Sequence, residues 1–270
     1  LGRFFDVIAT VIDVSVGSMV SVLTAPPALV LALVLAGLAW LARGWKLGLG
    51  SLLGLVFVIR MGMWEPAMDT LALVLFATVV AVVIAIPVGI AAARSDKVSA
   101  AVRPVLDLMQ TMPAFVWLVP VVTLFSIGVE GGVVATIIFA LPPGVRLTEL
   151  GIRQVDPEVV EAGHAFGSSP RQILRGIQLP LAMPSVMAGV NQVIMLALSM
   201  AVIAGLVGAG GLGGVVTSSI ARLDIGLGFE GGLAVVILAI YLDRLTASIG
   251  QRSGRRRLPW RRRTSAVEPG

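Results

Sequence analysis

Long apolar runs alternate with short polar breaks along this chain, and the runs are too long and too many to be the inner faces of soluble helices. In the first 24 residues, Phe4/Phe5, Ile8, Val11/Ile12 and Met19/Val20 recur at helical spacing, while Arg3, Asp6 and Asp13 collect on the other side. That pattern predicts a helix lying in the membrane interface over residues 1–25. After Ala25-Pro26-Pro27, residues 28–42 predict a first span and 47–59 a short second one, joined by the basic turn Arg43-Gly44-Trp45-Lys46. Arg60 and Trp64 would anchor the end of the second. Residues 67–93 form the clearest span, with Pro87 inside it. A fourth is expected near 112–127, bearing Pro113 and Pro120, and a fifth over 132–145, ending on Pro142-Pro143. A sixth covers 181–207, a glycine-rich segment follows, and 231–242 begin a seventh that closes on Asp243-Arg244. Between Arg146 and Leu179 lies a polar island.

Composition supports lipid as the solvent for these runs. Hydrophobic residues make up 57% of the chain and charged ones only 13%, and the mean hydropathy is +0.99, which is more apolar surface than one soluble core can bury. The fold expected is an all-α polytopic membrane protein with about seven transmembrane helices. Residues 26–250 would be the membrane domain, with the island at 146–180, and 251–270 a basic tail expected to be disordered. Alternating the loops puts all but Arg3, Arg60 and Arg222 of the 20 Lys and Arg on one side. The positive-inside rule then places the N-terminus outside, the C-terminus in the cytoplasm, and the island in the cytoplasm as well.

Several chemistries are excluded. The chain has no cysteine and one histidine, which removes thiolate chemistry and makes a metal site unsupported. No GxxxxGK[ST] loop occurs, so the chain is not expected to bind ATP itself. Ionisable residues of the kind that mark proton relays are missing from the spans, and acidic residues such as Asp107, Glu149 and Glu161 fall in loops. Gly208-Ala209-Gly210-Gly211-Leu212-Gly213 matches GxGxxG without the strand-turn-helix setting a dinucleotide site needs. Gly208, Gly210, Gly211 and Gly213 are better read as a helix end able to unwind near an outer gate. Polar groups inside the spans include Thr136, Asn191, Gln192 and Ser199, candidates for a pathway or for interhelical hydrogen bonds. The tryptophans and Tyr241 could box a cationic ligand, although an interfacial aromatic belt is the plainer reading.

The island has its own logic. Asp156-Pro157 is a helix start, with Glu158 and Glu161 in the first turns where the helix dipole favours anions. A short helix is expected through Phe166, ended by Gly167-Ser168-Ser169-Pro170, and Ser169-Pro170 should start another carrying Arg171 and Arg175. Small residues at Ala162, Gly163 and Gly167 suit docking in a groove of another protein. A solvated hairpin explains the same pattern.

The segment EAGHAFGSSPRQILRGIQLP resembles the EAA loop of the membrane-spanning subunits of ABC importers, with Glu161, Ala162, Gly167, Ile177, Leu179 and Pro180 in register and Gly163 in place of the second alanine. Further segments, among them WEPAMDTLALVL, DLMQTMPAFVWLVP, IFALPPGVRLTELGIRQV and LAVVILAIYLDRLT, look like the glycine betaine/proline betaine (osmoprotectant) branch. The resemblance implies a type I ABC importer-like permease in the bacterial inner membrane. It implies a pair of permeases, two cytoplasmic ATPase subunits that bind ATP-Mg, and an external substrate-binding protein. Glu161, Ala162, Gly163, Gly167, Ile177, Leu179 and Pro180 would then couple to the ATPase. A permease for another small polar solute such as an amino acid, an ion-driven carrier acting alone, and a membrane-embedded enzyme are the rival classes.

Overall fold

The computed structural model describes residues 2–255, all helices and connecting turns with no strand among them. Five of the helices are long and apolar enough to cross a membrane, and a sixth span results if one sharply bent pair is counted. The count of about seven is thereby reduced, because two of the expected spans are only 16 residues long and the fourth is a 12-residue helix that qualifies only together with the bent helix before it.

Helix α1 (Gly2–Thr24) buries Ile12 and Val16. Its Phe5 ring meets Phe125 edge-on at 5.3 Å. The expected helix is present, and its length and composition also qualify it as a span. Helices α2 (Ala28–Arg43) and α3 (Trp45–Arg60) pack on each other as a hairpin, turned at Gly44 with φ 97°.

The core is made by α4 (Trp64–Arg94), α7 (Val129–Arg153) and α10 (Leu179–Ala204), which pack on one another along most of their lengths. Their contacts are made by small residues: Ala72, Ala81, Ala85, Ala135, Ala140, Ala197 and Ala204 are all buried. Between helices in lipid, such residues let backbones approach and gain dispersion where no hydrophobic drive exists. At Gly144 the approach is close enough that an added Cβ would lie 2.8 Å from the Ala85 Cβ.

Helix α7 does not end at Pro142-Pro143, as the sequence had suggested, but runs through both to Arg153. The two missing N–H groups cost it two hydrogen bonds, yet both prolines are buried against neighbouring helices, where membrane helices tolerate such gaps. The expected fourth span is only the 12-residue helix α6 (Ala114–Phe125), and it is preceded by a helix that was not expected, α5 (Asp96–Thr111), the two being bent by 102° at Met112-Pro113. Proline at 113 biases Met112 away from the helical region, which is why the chain turns there.

The island contributes α8 (Pro157–Ala165) and the single turn α9 (Pro170–Ile173), followed by a π-helical turn over Leu174–Gln178 that leads into α10. At its far end α10 closes in a 3-10 turn, Gly205–Val207. Helix α11 (Gly211–Arg222) then packs back against α4, α10 and α12 (Ile225–Arg255). Asp243-Arg244 does not close the last helix, which continues to Arg255 and takes in the first residues assigned to the basic tail. Residues 256–270 of that tail lie outside the described residues.

Candidate functional site

The island sits where α4 and α7 end and α10 begins. Arg153, in the last turn of α7, joins three elements there. One guanidinium nitrogen donates to the Ala92 carbonyl of α4 at 2.8 Å, another pairs with Asp96 of α5 at 2.8 Å, and Nε meets Glu149 at 3.0 Å. Glu149 is buried and also accepts from Ser99 Oγ at 2.7 Å. Arg146 pairs with Asp107. The expectation that the acidic residues lie in loops fails at Asp107, which is inside α5, and at Glu149, because extending α7 past its prolines carries that carboxylate into the helix and under α5. Of the charged groups in this cluster Glu149 is the buried one, and it stays so because Arg153 and Ser99 both meet its carboxylate.

Next to this ionic cluster, Leu174 packs with Ile152, Ala182 and Val186, and with the partly buried Ile86, Ile90, Ala93 and Leu179. These contacts tie the island to the three core helices. Helix α8 begins as expected, with the Asp156 carboxylate accepting from the Glu158 N–H at 3.0 Å and Pro157 at the first helical position. It ends at Gly167, whose φ of 76° lies in the left-handed region. There the Gly167 N–H donates to His164 and the Ser168 N–H to Gly163. Gly167 is therefore a helix stop, open to solvent, where any side chain would be strained. Ser169 and Gln172 form a capping box that starts α9.

The motif residues divide between two faces. Gly163 points inward: an added Cβ would lie 2.8 Å from Ile177 Cδ1 and 3.3 Å from Ile173 Cγ1. Gly163, Ile173 and Ile177 thus form a clasp that holds α8 onto the following turn. Glu161 and Ala162 face outward with Glu158, His164 and Ala165. Phe166, at the tip, is 90% exposed. Leu179 and Pro180 open α10; lacking an N–H, Pro180 has nothing to give the Gly176 carbonyl, and the wide turn is closed instead by the Leu179 N–H donating to Leu174. The sequence reading missed Phe166 as a site residue and the π turn altogether. An aromatic beside a glycine helix stop, and prolines at 180 and 184, were the available signals.

The four pathway candidates are not brought together. Thr136 is fully buried and donates to the Gly132 carbonyl at 2.7 Å. Asn191 donates to Asp243 of α12 at 3.1 Å and accepts from Thr246, so it acts as interhelical glue. Gln192 and Ser199, one heptad apart, share an exposed face of α10. At the other end of the bundle, Gly208, Gly210 and Gly211 have φ of 81°, 74° and 59° and turn the chain from α10 into α11. Gly213 lies backbone to backbone on Gly205, where an added Cβ would come within 2.1 Å. The Leu212 N–H donates to Thr70 Oγ1 at 2.8 Å and the Gly128 N–H to the Val207 carbonyl at 3.0 Å. These glycines make a tight helix end among helices, with no strand before them among the described residues.

A family model described as "binding-protein-dependent transport system inner membrane component" matches residues 85–256. The chain belongs to that family. Similar curated proteins include the glycine betaine/proline betaine transport system permease protein ProW of Escherichia coli, 51% identical over 249 residues, or 92% of this chain and 70% of that one. ProW of Salmonella typhimurium is 56% identical over 80% of this chain and 61% of its own length. The glycine betaine transport system permease protein OpuAB of Bacillus subtilis is 48% identical over 92% of this chain and 88% of its own. Among solved structures, inward-facing forms of the MetNI methionine ABC transporter match with TM-scores of 0.62 and 0.64 at 24% and 22% identity. The matches cover 68% and 71% of this chain and 92% and 95% of those chains, and show the shared type I importer permease fold. This family member is a multi-pass inner-membrane transport permease and not an enzyme. It is one subunit of a system that includes a binding protein.

Proposed function

We propose that this chain forms the translocation pathway of an ATP-driven importer for a compatible solute: glycine betaine, proline betaine, carnitine or choline. The names of the curated relatives, which include a glycine betaine/carnitine permease of Listeria monocytogenes 47% identical over 93% of this chain, support that substrate class. In this reading two copies pair, an external binding protein delivers solute, and two cytoplasmic ATPase subunits carry ATP-Mg. The N-terminus lies outside and α8 in the cytoplasm, as the distribution of basic residues favours.

The observation that carries the coupling role is the division of α8. One face is clasped by Ile173 and Ile177 at Gly163, and the other, ending in the exposed ring of Phe166, is left uncovered by the described residues. A large exposed aromatic on a rigidly held helix tip is what a groove on another protein takes as an anchor. ATP-driven closure of the ATPase pair would then move α8, and through the Leu174 contacts and the Arg153 pins, the ends of α4, α7 and α10.

The test is uptake of labelled glycine betaine by the reconstituted complex. Phe166→Ala should reduce uptake by at least about tenfold, the scale of one lost anchor, with no change in the permease's thermal unfolding. Full uptake by that variant would end the coupling assignment. Wild-type uptake of an amino acid, with none of betaine or choline, would overturn the substrate class.

A further inference from the structure

A groove of about 510 Å³ lies between α3 and α12, away from the coupling site. Its mouth carries Arg43, Lys46 and Arg244, and its walls are formed by Leu47, Ile237 and Ile240 over a floor that includes Gly50 and Gly54. Among the described residues neither Arg43 nor Lys46 pairs with a carboxylate. Arg244 approaches one only distantly, Asp243 at 3.9 Å. Asp243 is itself engaged by Asn191. Three cations against one occupied carboxylate leave the mouth strongly positive.

Beneath the mouth, Ser51 is buried and its hydroxyl has no hydrogen-bond partner among the described residues. Tyr241, in contrast, spends its hydroxyl on the Leu35 carbonyl at 3.1 Å. Chain order puts Arg43, Lys46 and Arg244 near the end of the bundle that carries α8. Trp45 is exposed beside them, as an interfacial tryptophan would be. A positive rim at headgroup depth, a free hydroxyl just below it and an apolar trough deeper still match one molecule in order: phosphate, glycerol ester, acyl chain.

We infer that this groove is a binding site for one anionic phospholipid, its phosphate held by Arg43, Lys46 and Arg244 and one acyl chain lying over Gly50 along Ile237 and Ile240. The glycines are what keep the trough open. A Cβ at Gly50 meets no other group within 4 Å, so a larger side chain there would fill the groove without disturbing the packing of the helices.

The experiment is native mass spectrometry of the assembled transporter, its tail intact, released from nanodiscs of mixed phosphatidylglycerol and phosphatidylcholine. The wild type should retain phosphatidylglycerol in preference to phosphatidylcholine. Each charge removed should weaken retention about fivefold, so the triple variant Arg43→Gln/Lys46→Gln/Arg244→Gln should lose about a hundredfold. Gly50→Leu alters no charge and should abolish the preference as well, which separates the groove from the basic tail. Equal retention of the two lipids by the wild type, or wild-type retention by Gly50→Leu, would overturn the site. Displacement of the lipid by millimolar inorganic phosphate would overturn the acyl-chain half and leave a phosphate site in its place.

Discussion

The two ends of the α4, α7 and α10 bundle are fastened by opposite means. At the α8 end the helices are held through side chains: Arg153 reaches α4 and α5, Glu149 takes Ser99, and Leu174 wedges between Ile152 and Val186. At the opposite end they are held mainly backbone to backbone, with Gly213 on Gly205 and Gly128 bonded to Val207, and with one short side chain, the Thr70 hydroxyl, receiving the Leu212 N–H at the start of α11. Long charged side chains keep their partners through small tilts, whereas apposed glycines have no slack. The α8 end can therefore be displaced as a unit, while the glycine end is a fulcrum that accepts no added volume.

This contrast can be broken most severely at the fulcrum. Gly213→Val would drive a side chain into the Val202 and Ala201 carbonyls, and should destabilise the folded permease by about 3 kcal/mol or more, read as a lowered thermal unfolding midpoint in detergent. At the other end, Glu149→Ala leaves Arg153 and Ser99 without their shared acceptor. Because Arg153 is partly exposed and keeps Asp96, a loss of about 2 kcal/mol is expected rather than the full cost of a buried pair. A glycine-end variant milder than the Glu149 one would invert the comparison. Between the ends, Asn191→Leu removes the bond to Asp243 and should cost about 1 kcal/mol with uptake largely kept, as glue and not pathway. Smallest of all, Gly163→Ala should change stability by less than about 1 kcal/mol: the displaced atom is the movable tip of Ile177, and alanine is the better helix former.

How much of this was legible beforehand depended on whether a feature was local. The caps at Asp156 and Ser169, the stop at Gly167 and the span over 67–93 were readable because each is decided within a few residues. Features decided by neighbours were not. Pro142 and Pro143 read as an end, since nothing in the sequence shows the helices that compensate their lost bonds. That single error displaced Glu149 into a loop and hid its partnership with Ser99, fifty positions earlier. Asp243 read as a terminus for the same reason, its partner Asn191 being on another helix. In the island, the motif register picked out a segment but not its faces. Gly163 was taken for docking surface, and only the packing of Ile173 and Ile177 against it shows that it looks inward.

The alanine and glycine seams of α4, α7 and α10 also determine what random mutation can do to this chain. A side chain of one methyl or none has almost nothing to lose, so replacements at Ala85, Ala140, Gly144 or Ala197 nearly always add atoms. Cavities, the common lesion of oily cores, are hardly reachable here, and the accessible lesion is overcrowding. Variation among descendants of this chain should consequently gather on the lipid-facing stripes, where volume is free, and leave the seams almost silent.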